Sequence, residues 1–191
     1  MTAPVAVTSP PSSPRDQAST RRREPSPQLR LLRLDREQPE FGWERFHAIA
    51  HELPPLFTEH WRELALNQDI VPLDPDWDKF YALDIQGILR ILTVRVPSGQ
   101  LVGYVFLMAG PHLHYKSTLW GHVDIFWLDP LYRQGWTGIR LFKTLIRDAK
   151  TMGLVNLTVP TKIHFCDNRV TKLLQRLGFK PIETVHAMRL T

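Results

Sequence analysis

Cysteine is almost absent from this chain: Cys166 stands alone. A single thiol cannot close a disulfide within one chain, and a cysteine-based zinc cluster lacks its ligands. Nothing near Cys166 in sequence would activate it, so it reads as a packed thiol rather than a nucleophile. No run of ~18 apolar residues occurs, so no membrane-spanning helix is expected. The chain opens Met1-Thr2-Ala3-Pro4 with no apolar stretch before its first arginines. That pattern predicts no secretory signal and a reducing, cytoplasmic setting. No internal repeat is visible, and nothing in the pattern calls for a metal. The run Asp74-Pro75-Asp76-Trp77-Asp78 starts like a calcium loop, but Lys79 and Ile85 occupy the positions that need glycine and an acid.

What is present suits one domain with a tail. The chain has 191 residues, 43% of them hydrophobic and 23% charged, with a formal net charge of +5. The positive balance is compatible with an anionic ligand without naming one. Residues 1–27 hold six of the sixteen prolines, many Ser and Thr, and end near Arg21-Arg22-Arg23. Such a segment buries too little apolar surface to offset its ordering entropy, so a disordered arm is expected there. The arginine triplet is either a solvated tail or a weak contact to nucleic acid or another acidic partner.

Residues 28–191 read as a folded domain. Leu29–Leu34 alternates Leu and Arg as a half-buried strand would. Phe46, Ile49, Ala50 and Leu53 predict a helix over Phe41–Leu53, ended by Pro54-Pro55. Further helices are predicted over Leu56–Leu66 and Asp76–Gln86. A hairpin follows, Leu89–Val96 and Leu101–Ala109, around the turn Pro97-Ser98-Gly99-Gln100. Gly121–Leu128 predicts another strand. Gly138–Met152 carries an apolar stripe (Ile139, Phe142, Leu145, Ile146, Ala149, Met152), with Gly153 placed to end the helix. Val155–Val159 predicts a strand. A helix capped by Asp167 or Asn168 and closed by Gly178 comes next, then a last strand over Pro181–Leu190. The fold class is mixed α/β.

The chemistry concentrates in His122-Val-Asp-Ile-Phe-Trp-Leu-Asp-Pro-Leu-Tyr-Arg-Gln-Gly-Trp-Thr-Gly138. A strand feeding a glycine-containing turn that opens a helix presents free backbone N–H groups to an anion. Arg133 adds a fork of donors suited to phosphate. The pattern predicts a diphosphate site.

These residues resemble the GNAT acetyltransferase family. Its signature is Arg or Gln, two residues, Gly, one residue, then Gly or Ala. Leu128-Asp129-Pro130-Leu131-Tyr132-Arg133 matches its approach, Arg133 and Gly138 match its ends, and Leu177-Gly178-Phe179 matches the usual close of the following helix. The likeness covers roughly Leu29 to Leu190. His112-Leu113-His114-Tyr115 is similar to a segment of GNAT proteins found in phage genomes. The resemblance implies a mostly antiparallel sheet flanked by helices, acetyl-CoA as co-substrate, no metal, and an amine acceptor. It implies that amides from about Gln134 to Ile139 (Gln134, Gly135, Trp136, Thr137, Gly138, Ile139) cradle the diphosphate with Arg133, and that Phe126, Trp127 and Leu128 border the pantetheine arm. Arg140, Lys143, Arg147 and Lys150 share the polar face of the long helix; the stripe is either merely solvated or lets Arg140 or Lys143, nearest the helix start, reach the coenzyme's 3′-phosphate. A homodimer is compatible with the sequence, and so is a nucleic-acid-modifying role or a non-catalytic binding protein.

Two departures stand out. The signature's first glycine falls on Trp136, so the indole must point away or Gly135 must take that glycine's role. The tyrosine that often protonates the leaving thiolate falls on Leu174; Tyr115, Tyr81, Tyr132 or solvent would then serve. For the base that deprotonates the amine, Asp124 is the first candidate, on a strand face shared with His122, Phe126 and Leu128. It reads equally as an ion-pair partner holding the sheet. His112, His114 and His122 are the other candidates, by their ordinary pKa near neutrality, or they line a polar cleft. Trp43, Phe46, Trp61, Trp77, Phe80 and Tyr81 form an acceptor wall or simply core.

Overall fold

The computed structural model describes residues 38–162 and 168–190. The arm over residues 1–27, the Leu29–Leu34 strand, Asp167 and Cys166 lie outside them.

A sheet of order β1-β2-β3-β4-β5 forms the middle layer. Its strands are β1 (Glu40–Glu44), β2 (Leu89–Arg95), β3 (Leu101–His112), β4 (Tyr115–Leu128) and β5 (Leu154–Thr158). The first three pairings are antiparallel, and β4 pairs β5 in parallel. Helices α1 (Phe46–Ile49), α2 (Leu53–Leu64) and α3 (Trp77–Ile85) cover one face, and α4 (Thr137–Thr151) and α5 (Arg169–Arg176) cover the other. Because helices lie on both faces, Leu101 to Leu107 is buried without alternation.

One core joins Val94, Val105, Leu107 and Val123 to Leu141, Phe142 and Leu145 of α4 and Leu174 of α5. The other joins Phe46, Ile49, Leu53 and Phe57 to Ile91, Tyr104, Phe106 and Trp127. Phe46, Trp77 and Phe80 stack within that second layer, against Phe57 and Phe106. These aromatics are core, not an open acceptor wall. Trp43 lies on β1 and donates its indole N–H to Asp148 of α4.

Local chemistry explains several boundaries. Asp76 caps α3 by accepting from the Lys79 amide at 2.9 Å. Gly153 and Gly178 take φ values of 80° and 96° where α4 and α5 end, as a left-handed closing residue does.

Three expectations need correction. Phe41–Glu44 is a strand, not the start of a helix, because its backbone pairs with Ile91–Val94 of β2. Pro54 and Pro55 do not merely end a helix: they lie in the first turn of α2, where an N–H is dispensable. Pro181–Leu190 forms no strand. It is exposed throughout, including Ile182, Val185 and Met188, and it pairs with none of the five strands.

Candidate functional site

The site begins with a fork in the sheet. β5 touches β4 only from Leu119 to His122, paired with Leu154 to Thr158. Beyond His122, β4 continues to Leu128 bonded to β3 alone. One backbone edge of Val123–Leu128 therefore has no strand partner among the described residues. His122 stands at the last rung, its Nδ1 hydrogen-bonded to Thr158 Oγ1 at 2.8 Å.

A bulge sits at the same place. Phe106 pairs with Ile125 and Leu107 with Val123, so Asp124 has no opposite number. The extra residue reverses which side chains face which layer. Val123, Phe126 and Leu128 meet the α4 side, whereas Ile125 and Trp127 meet the α1–α3 side. The expected common face of His122, Asp124, Phe126 and Leu128 is therefore wrong: His122 pairs with Met108, a residue of the α1–α3 layer. Asp124 is exposed and makes no hydrogen bond or ion pair among the described residues.

β4 then enters the turn. Asp129 accepts from the Leu131 amide at 2.8 Å, holding the short 3-10 turn Pro130–Tyr132. Gly135 takes φ 79°. Trp136 is the residue before α4, helical in conformation, with a side chain 72% exposed. Gly135 thus supplies the left-handed step, and the indole stands in solvent. The Arg140 amide bonds Trp136 O at 2.9 Å, the first bond of the helix. The six amides before it, from Gln134 to Ile139, have no acceptor among the described residues. They lie at the positive end of a 15-residue helix.

The candidate side chains fall into separate groups. His112, His114 and Tyr115 cluster with Trp120 at the tip of the β3–β4 hairpin; His112 lies 4.4 Å from Trp120 and 5.1 Å from Tyr115 between ring centres. Tyr115 pairs with His112 and His122 with Met108, so four steps of β3, roughly 13 Å at the usual rise, separate the tip from His122. Arg140 lies over the Phe41 ring at 5.1 Å and reaches Gln38, on the β1 flank of α4. There Glu40, Phe41, Arg140, Lys143, Thr144 and Arg147 line an open groove of about 610 Å³. Leu174, where a tyrosine was sought, is 5% exposed and part of the core. Tyr81 is exposed on α3. No cluster of His, Cys, Asp or Glu suited to a metal occurs among the described residues.

Arg133 is already engaged. Its Nε donates to Leu128 O at 2.6 Å, and its two terminal nitrogens grip the two carboxylate oxygens of Glu63 on α2. The Trp127 indole donates to the same carboxylate at 3.3 Å. The hydrogen bond from Arg133 holds Glu63 below the usual carboxylate range. One turn back, His60 Nδ1 meets the buried Tyr104 hydroxyl at 2.8 Å. Burial lowers His60 to about 4, so the ring is neutral at pH 7. Burial also pushes the Tyr104 hydroxyl up.

Sequence reading did not single out His60, Glu63 or Tyr104. A signal existed: Leu53, Phe57, His60 and Leu64 share one helical stripe, and a histidine interrupting such a stripe needs a buried partner.

Solved structures carry this architecture. A ribosomal-protein-alanine N-acetyltransferase from Brucella melitensis biovar Abortus superposes with a TM-score of 0.60 at 19% identity, over 81% of this chain and all of that one. The fold is that of the GNAT acetyltransferases. An aminoglycoside acetyltransferase from an uncultured soil sample gives a TM-score of 0.64 at 11% identity, covering 81% and 99% of the two chains. An acetyltransferase from Clostridium acetobutylicum, solved with acetyl-CoA, gives 0.58 at 11% identity, covering 80% and 97%. No protein-family model matches the sequence, and no curated protein does either. The likeness is therefore one of shape.

Proposed function

We propose that this protein is an acetyl-CoA-dependent N-acetyltransferase. The observation that carries the reading is the row of six unspent amides at the start of α4, beside the open edge of β4. The amides and the helix dipole suit a diphosphate. The open edge of Val123–Leu128 suits an extended arm that carries its own amides, as pantetheine does, because such an arm can add to the sheet like a strand. Arg133 lies on the turn itself. Arg140, turned toward Phe41, would have to swing to meet the 3′-phosphate.

The reaction is direct attack of a neutral amine on the thioester carbonyl. A new C–N bond forms, the carbonyl oxygen takes negative charge, and collapse breaks the C–S bond to release a thiolate. An alkylamine with a pKa of ~10.4 arrives protonated and must lose that proton. Asp124, bulged at the fork and without a partner among the described residues, is the favoured acceptor of it, directly or through water. A β4 amide near Trp127 or Leu128 on the open edge would stabilise the oxyanion. His122 is the nearest alternative to Asp124, although its Nδ1 is committed to Thr158. The hairpin-tip residues His112, His114 and Tyr115 are more distant candidates. With Leu174 in the core, the thiolate takes its proton from another group or from water; its ordinary pKa near 8.5 makes that undemanding.

A cytoplasmic setting belongs to the same reading; no helix among the described residues is long and apolar enough to cross a membrane. The likeness to phage-borne members rests on His112–Tyr115 alone. The test is calorimetric titration with coenzyme A and acetyl-CoA, followed by thiol-release assays over a panel of amines. Saturable binding and amine-dependent thiol release are expected. Absence of binding overturns the reading; binding without release for any amine leaves a coenzyme-binding protein in its place.

A further inference from the structure

The Arg133–Glu63 pair links α2 to the turn before α4. Glu63 belongs to the last turn of α2, and Arg133 to the turn that opens α4. The guanidinium spends three of its five N–H groups here, one on Leu128 O and two on the oxygens of Glu63. Glu63 in turn accepts from Arg133 and from Trp127, and its side chain still shows 23% exposure. The pair is therefore reachable from solvent, unlike a sealed core bridge.

A diphosphate on the Gln134–Ile139 amides would lie beside this guanidinium. Phosphate and carboxylate present the same forked geometry to arginine, so the two anions compete for one partner. When the diphosphate wins, Glu63 keeps its bond from Trp127 but loses its counter-charge. His60, one turn away, is neutral and cannot replace it. Lys162 and Arg133 are the other charges that His60 feels. A half-buried carboxylate stripped of its cation favours a new one. An amine substrate, protonated on arrival, is such a cation.

We infer that Glu63 is an acceptor-binding carboxylate, masked by Arg133 until a diphosphate draws the guanidinium away. The inference rests on the coenzyme reading above and adds a substrate class to it: amines that arrive as cations. Glu63 touches the acceptor in this account, and Arg133 couples the two ligands.

Coenzyme A titrated calorimetrically into wild type, E63Q, R133Q and the double variant tests the competition. Glu63→Gln should tighten coenzyme binding about three- to tenfold, because apparent affinity scales with the fraction of Arg133 left free. In the R133Q background the same change should have no effect. Glu63→Asp, one methylene shorter, should shift affinity in the same direction by less, and it guards against a folding defect in E63Q. An unchanged or weakened affinity in both Glu63 variants overturns the exchange. Carbon-13 NMR of the Glu63 carboxyl, assigned by its loss in E63Q, should show its pKa rising when coenzyme A is bound; a pKa that stays put overturns it too. For an amine that wild type acetylates, E63Q should raise KM about tenfold or more while changing kcat less. An unchanged KM removes the acceptor role. Wild type that fails to bind coenzyme A at all sinks the coenzyme reading itself, which separates the two failures.

Discussion

Acid should destabilise this fold through His60 before it reaches the carboxylates. The His60 ring is held against the buried Tyr104, and burial lowers its pKa from 6.5 to about 4; Glu63 pulls the other way, while Arg133 and Lys162 reinforce the drop. The unfolded chain therefore takes a proton near pH 6.5 and the folded one only near 4. Between those values the unfolded state binds more protons, so stability falls as pH falls. Integrating that difference gives a loss of about 2 kcal/mol between pH 7 and pH 5, and about 3 kcal/mol once both forms are protonated. Glu44, Glu52, Glu63 and Asp148 are held below their ordinary values by arginine hydrogen bonds. Their contribution is present above ordinary carboxylate pKa values and is lost only below them, so the window from 6.5 to about 4.5 belongs to His60. Urea unfolding at pH 7, 6 and 5 on wild type and His60→Gln isolates it, since glutamine can keep a hydrogen bond to Tyr104 but cannot titrate. The wild-type curve should drop by about 2 kcal/mol relative to the variant. Parallel curves would refute the claim that this histidine is buried neutral.

Other perturbations separate the fork from the turn. A Cβ on Gly121 would lie 2.7 Å from Leu154 Cδ1 and 3.2 Å from Leu107 Cδ1 and Leu157 Cδ1, so Gly121→Val should push β5 off β4. The cost should be about 1–3 kcal/mol by thermal or urea unfolding; wild-type stability would mean β5 is not packed there. Gly135 has nothing within 4 Å of an added Cβ, but its φ of +79° lies in the left-handed region. Gly135→Ala should therefore cost only about 1 kcal/mol of stability while weakening coenzyme binding about tenfold, and equal affinity would take the turn out of the site. Asp124→Asn, at an exposed position with no partner among the described residues, should leave unfolding unchanged and cut turnover about 100-fold; full activity would make the carboxylate dispensable.

The elements that local chemistry writes into the chain were legible: the apolar stripe of α4, the short helix over Asp76–Gln86, the Pro97–Gln100 turn between β2 and β3. Each signal lies within a few residues of the element it sets. The misread segments depend on distant partners. Phe41–Glu44 is a strand because β2, some fifty positions later in the chain, offers it an edge. Pro181–Leu190 has strand-like residues but pairs with none of the five strands, so its composition decides nothing. The same logic covers the site. The six amides were foreseeable because a glycine-bearing turn before an amphipathic helix leaves them free by itself. The bulge at Asp124 was not, since an extra residue exists only relative to β3. That one insertion turns Trp127 toward Glu63 and Phe126 toward Phe142, on opposite faces of the sheet. Without it, the alternation that holds from His122 would carry Trp127 to the α4 side and leave Glu63 without its indole donor. The polar group joining α2 to β4 and the turn after it is thus a consequence of strand register, a property that no single segment of the sequence contains.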